Sequence, residues 1–429
     1  MAKKIKREKA EKFPEQNEPQ VSISGRQKII SWAVFIPTLV VVFISLISAV
    51  FPALVTRTTS PLQDSIYKLD IINPFQTGIL AVPLIVVNII ILVIGIAYYK
   101  GSKGKKFFRS ISDFNLSRKR SLIILGIILV VFVGATAGQL GTEETWDDYN
   151  DVKKLAKSFA ISDFTQGVQP HLKFLLLSAS LNIFGNIRVI PFIASIVLLA
   201  LTYFFTSEIT QNRFAGIVST LLLVQSGVFL SYNSSATYDN FWILLYLFSL
   251  YLIHKKWHPS AISYILSIFT KSLTLSFLPM SIFFISRSNI AKRAKLYSLA
   301  SYGAVILLAI GISLVFQASF TFSTLGFDAV DFWKGFTSMA FQMRFDYVLV
   351  LFLLPLTVML FFASRKGVLH ADSIQIFFLT VLLTAPFLIG FTTQTNQPYR
   401  FVPLSVFFAI GVGVLLSKRT RAQAELSST

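Results

Sequence analysis

Long apolar runs, separated by short polar connectors, fill this chain from residue 29 to residue 417. Twelve such runs predict helices: 29–55, 78–98, 121–139, 188–206, 214–230, 241–254, 259–271, 274–286, 297–316, 347–364, 374–391 and 401–417. The longer ones reach the roughly 20 residues that a membrane span requires. The pair 259–271 and 274–286 is shorter, about 20 Å per limb at a helical rise of 1.5 Å per residue. It reads as a helical hairpin that enters shallowly from the cytoplasmic side, with Lys271 and Ser272 near its tip. The segment Pro170–Gly185 would reach only about 24 Å as a helix, short of a core of about 30 Å. Its opening proline and closing glycine predict a helix lying along the outer surface. The expected fold class is therefore an all-α polytopic membrane protein of about twelve spans with an external juxtamembrane helix.

Composition supports that class. The chain has 429 residues, 54% of them hydrophobic, with 42 phenylalanines and a mean hydropathy of +0.67. A soluble fold could not cover so much apolar surface. The net charge of +19 would suit nucleic acid, but the lysines and arginines gather between apolar runs, as the positive-inside rule expects of cytoplasmic loops. No nucleic-acid partner is needed to explain them.

With the basic tail 1–28 inside, the connectors 99–120, Lys255-Lys256, 287–296, Arg365-Lys366 and 418–421 all fall on the same side. Both termini then come out cytoplasmic, in an integral, multi-pass protein of the cell membrane. The segments 140–170, Ser231–Asn240, 317–346 and 392–400 fall outside. Four divisions follow: the tail 1–28; two N-terminal spans and a basic loop over 29–120; a transmembrane core over 121–418; and a cytoplasmic tail over 419–429. The apolar run after the tail, 27 residues long, exceeds a signal-peptide core and reads as a retained anchor. The basic loop 99–120 reads as a binder of lipid headgroups.

Cysteine is absent, which excludes disulfides and thiol chemistry. His171, His254, His258 and His370 lack metal-ligand spacing.

Candidate chemistry concentrates in the outer loops. Residues 140–170 hold six acids (Glu143, Glu144, Asp147, Asp148, Asp151 and Asp163) against three lysines. Asp147 and Asp148 stand side by side, between Trp146 and Tyr149. Glu143, Glu144, Asp151 and Asp163 read as solvated loop acids. Asp239 starts a helix, so it suits both a site carboxylate and a helix cap. Lys271 ends an apolar helix, where an ammonium snorkels or meets a fixed partner or anion. Arg400 precedes the last run, placed for phosphate oxygens or as a headgroup anchor. His171 reads as interfacial and structural. Outward acids with outward cations suit the transfer of a sugar from a lipid-linked phosphate. A carboxylate takes the acceptor's proton, and cations receive the charge that gathers on the departing phosphate. No glycine-rich nucleotide loop is present, which disfavours a soluble nucleotide-sugar donor.

The order of segments resembles that of the GT-C membrane glycosyltransferases, which include protein O-mannosyltransferases, lipid A aminoarabinose transferases and oligosaccharyltransferase catalytic subunits. Their external Asp-Asp or Asp-Glu pair is matched by Asp147-Asp148, and their Pro-containing juxtamembrane helix by Gln169-Pro170-His171-Leu172 through Phe184-Gly185. Arg188, Tyr238-Asp239-Asn240, Thr270-Lys271-Ser272 and Arg400-Phe401-Val402-Pro403 follow in the family's order. The similarity covers about Ser121 to Lys418. It implies an inverting transfer with Asp147 as base, Asp148 and Asp239 orienting the acceptor or a metal, and Lys271 and Arg400 holding the phosphate of a polyprenyl donor. Metal use stays open, since family members differ. The family's Pro-Pro is Pro170-His171 here, two extra spans precede the core, and no large soluble domain is expected after Leu416. The sequon Asn233-Ser234-Ser235 lies so close to the proposed site that glycosylation is not expected there. Two other classes compete. A transporter or flippase would carry inverted repeats and midplane charges, and no repeat is visible. A non-catalytic membrane scaffold would tolerate loss of Asp147.

Overall fold

The computed structural model describes residues 25–51, 75–100, 114–160, 171–315, 326–391 and 398–417. Asp163, Pro170 and positions 392–397 lie outside them. Every regular element among the described residues is helical. In order these are α1 (Gly25–Val50), α2 (Ala81–Lys100), α3 (Arg118–Thr136), α4 (Tyr149–Ser158), α5 (His171–Phe184), α6 (Val189–Thr210), α7 (Arg213–Val224) and α8 (Gly227–Tyr232). There follow α9 (Phe241–Lys255), α10 (Ser260–Thr270), α11 (Leu278–Arg287), α12 (Lys292–Val315), α13 (Ala329–Gln342), α14 (Tyr347–Arg365), α15 (Ala371–Phe391) and α16 (Val402–Leu415). Among the described residues, six helices are long and apolar enough to cross a membrane: Gln27–Val50, Arg118–Gly141, Val189–Thr210, Tyr347–Arg365, Ala371–Phe391 and Pro398–Leu415. The protein is accordingly described as an all-helical membrane protein.

Each apolar run of the sequence carries a helix. The run 214–230 carries two, because Ser226 breaks it. The Ser226 hydroxyl caps α8 by accepting from the Phe229 amide at 3.2 Å and donates to the Asp346 carboxylate. Asp346, itself buried, also accepts from the Leu349 amide at 3.1 Å and from the Ser405 hydroxyl at 3.3 Å. One carboxylate thus ties the starts of α8, α14 and α16 together. Two helices fall in segments the apolar pattern leaves as loops. α4 buries Tyr149, Val152 and Ala156 on one stripe, and α13 carries an Asp331–Lys334 pair at 2.8 Å. Both are short and half polar, so a search for apolar runs passes over them.

α16 forms the axis of the bundle and is buried at nearly every position, against α6, α7, α14 and α15. Small residues permit the close approach. A Cβ added at Gly413 would press on Ser219 Oγ, would lie 2.5 Å from Thr206 Cγ2, and would meet the Ala215 carbonyl at 3.1 Å. Gly413→Ala is therefore expected to cost about 1–3 kcal/mol through overpacking. A detergent-solubilised variant melting at the wild-type temperature would refute that.

α1 packs against α13, α14 and α15. Ser31 Oγ meets Ser364 Oγ at 2.8 Å, Thr38 donates to the Gln375 carbonyl at 3.3 Å, and Phe35 stacks on Phe361 at 4.1 Å.

Charge separates along the bundle. At one end sit the pairs Lys255–Glu208 (2.6 Å) and Arg287–Asp372 (2.7 Å) and the apposed rings of His254 and His370. At the other end sit Glu144, Asp147, Asp148 and Asp239.

Candidate functional site

Two loops form the base of the site, 142–148 after α3 and 233–240 before α9. They are stitched by Arg188 and Glu144, both nearly fully buried. Arg188, just ahead of α6, donates from Nε to the Ser234 carbonyl (3.1 Å) and from Nη2 to the Ser234 hydroxyl (2.7 Å). Its Nη1 donates to the carbonyls of Gln139 (2.5 Å) and Thr142. Glu144 accepts from the amides of Ala236 (2.5 Å) and Thr237 (3.3 Å) and from the Ser235 hydroxyl (3.0 Å), with Arg188 Nε 3.6 Å away. The expectation that Glu144 is a solvated loop acid is thus corrected: amides 92 and 93 residues downstream in the chain bind it. Its neighbour Glu143 does face solvent and pairs with Lys153 at 2.6 Å, whose hydrogen bond holds the Glu143 carboxyl below its ordinary range. Asp151 is exposed, with Lys154 3.4 Å away. The sequon residues Asn233, Ser234 and Ser235 are buried.

An aromatic cluster stands on that base. Trp146 stacks on Tyr232 at 5.5 Å and meets Tyr238 edge-on at 5.3 Å. Tyr238 lies flat on Tyr399, with ring centroids 4.4 Å apart and planes 11° apart. Asp147 and Asp148 are exposed at the rim of this cluster. The Tyr238 hydroxyl is 3.4 Å from the Asp148 carboxylate. Burial and the Asp148 charge push the Tyr238 phenol up to about 12, so it stays protonated and donates.

Asp239 is buried beside them. One oxygen accepts from the Phe241 amide at 3.1 Å, an Asx turn just ahead of α9 rather than the expected cap, since the N-cap position is Asn240. The other lies 3.2 Å from Lys173 Nζ, on α5, which also donates to the Thr237 carbonyl at 2.6 Å. Lys173 has no signal in the sequence, being one cation on an apolar helix. Gly185, at φ +68°, ends that helix where the sequence places its stop. His171 is buried on α5, with its ring 6.4 Å from that of Phe159.

The cations enter from the other side. α10 does not form a shallow hairpin with α11. Ser260, Ser263 and Ser267 bond the α9 carbonyls of Ser249 (2.9 Å), Leu245 (2.8 Å) and Trp242 (2.7 Å), so α10 runs the length of α9. Its tip, Lys271, therefore reaches the acidic end. Lys271 Nζ sits 3.7 Å from the Tyr399 ring centroid and 5.2 Å from that of Trp242, over the faces of both rings. The Asp239 charge also acts on it. Arg400 is buried in the 3₁₀ turn Pro398–Phe401, its guanidinium carbon 5.8 Å from the Tyr399 ring centroid. With Trp242, Leu273, Phe277, Val381, Thr384 and Ala385 it lines a narrow crevice.

Asp148, Lys271 and Arg400 are thus joined through Tyr238 and Tyr399 at one end of the bundle, with Asp147 at its rim and Asp239 beside them on Lys173. Trp146 and Tyr399, which the sequence does not single out for a role, complete the connection. Among the described residues, no group of three or more acids or histidines is arranged to hold a metal ion. Chemically, the end offers solvent-facing carboxylates on one side and two cations on the other, across an aromatic floor. Compared with models of known families, with curated proteins and with solved structures, the chain matches none.

Proposed function

We propose that the protein is an inverting membrane glycosyltransferase that moves a sugar from a polyprenyl-phosphate donor to an acceptor at the outer face of the cell membrane. In this reading the twelve apolar runs are spans, 121–418 is a GT-C-like core, and both termini are cytoplasmic. The basic end faces the cytoplasm by the positive-inside rule. Asp147 takes the proton of the acceptor hydroxyl as its oxygen attacks the sugar's anomeric carbon. The bond from that carbon to the phosphate oxygen breaks, and its electron pair leaves on the phosphate. Lys271 and Arg400 receive that charge. Asp148 and Asp239 orient the acceptor or a divalent metal.

The observation that carries the reading is the contact path from Asp148 through Tyr238 and Tyr399 to Lys271. It joins the neighbour of the proposed base to one of the proposed phosphate cations, which supports the reading because reacting groups must be held close together. The same surface argues against a transporter, whose charges would lie near the bilayer midplane.

The test is purified protein in liposomes that hold a polyprenyl-phosphate-linked sugar, with release of polyprenyl phosphate measured. Lys271→Met is expected to raise the donor KM roughly 10–100-fold, the loss of a charged hydrogen bond. Turnover with an unchanged KM would remove Lys271 from the donor site. Absence of turnover with every polyprenyl-linked sugar offered would favour the scaffold reading.

A further inference from the structure

The crevice beside Arg400 holds a donor that none of the roles above uses. Its walls are apolar, Leu273 and Phe277 coming from the 3₁₀ turn after α10 and Val381 from α15. Thr384 also lines it, and its hydroxyl donates to the Thr380 carbonyl at 2.7 Å, within its own helix. Trp242 differs. It is 1% exposed, and its indole Nε1–H has no hydrogen-bond acceptor among the described residues. An indole N–H can only donate. Buried polar groups are nearly always bonded, because an unmade bond leaves the full desolvation cost of the group. This donor therefore needs an acceptor. Among the described residues no acidic side chain lines the crevice. The charges beside the indole are instead cationic: Arg400 in the crevice wall, and Lys271 with its Nζ 5.2 Å from the Trp242 ring centroid.

We propose that the Trp242 indole N–H is a third donor of the phosphate seat, bonding one oxygen of a lipid-linked phosphate whose other oxygens meet Lys271 and Arg400. The inference rests on the phosphate role assigned to those two cations and adds a neutral donor that fixes where the phosphate lies. A hydrogen bond to an ionised acceptor is roughly twice as strong as a neutral one, so the buried N–H gains most from an anion. The number of donors also matches the chemistry. When the sugar leaves, the oxygen that carried it becomes a third terminal acceptor on the phosphate. A seat of three donors thus favours the departing polyprenyl phosphate over the sugar-bearing donor. The apolar walls suit a phosphate that arrives on a lipid chain, as do Leu275 and Phe387, 43% and 45% exposed on the same two elements.

The experiment uses the full chain in detergent micelles titrated with undecaprenyl monophosphate, with bound lipid counted by native mass spectrometry. Trp242→Phe keeps an aromatic face for Lys271 and removes the N–H. The variant is expected to bind the probe about 10-fold more weakly than wild type, the loss of one hydrogen bond to a charged group. Should the smaller ring unfold the protein, benzothienylalanine at position 242 keeps the two-ring shape without the donor, and the same loss is expected of it. Inorganic phosphate at the concentration of the probe should leave the bound lipid in place; displacement would overturn the lipid assignment and mark a seat for free phosphate. Unchanged affinity without the N–H, with Lys271→Met still weakening binding, would overturn the role of Trp242 and leave the phosphate site standing. Binding that ignores Trp242 and Lys271 alike, or no binding at all, would overturn both.

Discussion

Replacing Asp147 with Asn should lower sugar transfer by about 10²–10⁴-fold, the usual contribution of a positioned general base, while the amount of folded protein stays at the wild-type level. The side chain is exposed, and an amide is nearly the same size as a carboxylate. Exposed substitutions of this kind shift stability by about 0.5 kcal/mol or less. What the amide cannot do is accept the acceptor's proton. Asp148→Asn should be milder, because an amide oxygen still accepts from the Tyr238 hydroxyl. Initial rates in donor-loaded liposomes, normalised to monodisperse protein, separate the two. Normal turnover in Asp147→Asn would remove it as the base and return the carboxylate pair to the status of loop acids.

The largest effect on stability is expected from Glu144→Ala, at about 3–5 kcal/mol. The substitution strips acceptors from two backbone amides and a serine hydroxyl and leaves Arg188 buried without its carboxylate. With the loop 233–240 released, Asp239 and Tyr238 lose their register, so activity should fall with the melting temperature. Glu143→Ala, one residue away, removes only a solvent-facing pair and should melt with wild type. Equal melting of the two variants would show that the stitch between the loops holds nothing.

That contrast also marks where sequence reading ends. Apolar length was enough to place a helix under each run, because in lipid every backbone polar group must be bonded within its own segment. Burial was not readable in the same way. α3 and α16 are both apolar on every side, yet Leu122, Ile123, Ile127, Val130 and Val131 of α3 are exposed while α16 is enclosed. Lipid is as apolar as a leucine-rich core, so hydrophobic periodicity carries no inside or outside. In the site, the motif order named Asp147, Asp148, Asp239, Lys271 and Arg400, and Asp148, Lys271 and Arg400 share a contiguous set of contacts. The residues that bind them together stayed hidden. Glu144 and Glu143 look alike in sequence, and only the distant amides of Ala236 and Thr237 distinguish them. Tyr399 and Trp146 are two aromatics among many in a chain that is 14% aromatic. Lys173 and Asp346 are lone charges whose partners lie on other helices.

The first helix poses a problem of timing. Ser31 and Thr38 meet their partners on α14 and α15, 333 and 337 residues further along. At about 5–20 residues per second of synthesis, roughly 15–70 s separate the emergence of each hydroxyl from that of its partner. During that interval α1 would stand in lipid with nothing to its polar side. Each hydroxyl already bonds a carbonyl four residues back, Ser31 to Gln27 at 3.0 Å and Thr38 to Val34 at 2.8 Å. These local bonds let the helix wait in the bilayer with its donors satisfied. The newborn chain can therefore keep its first span in reserve until its last spans arrive to close the bundle around it.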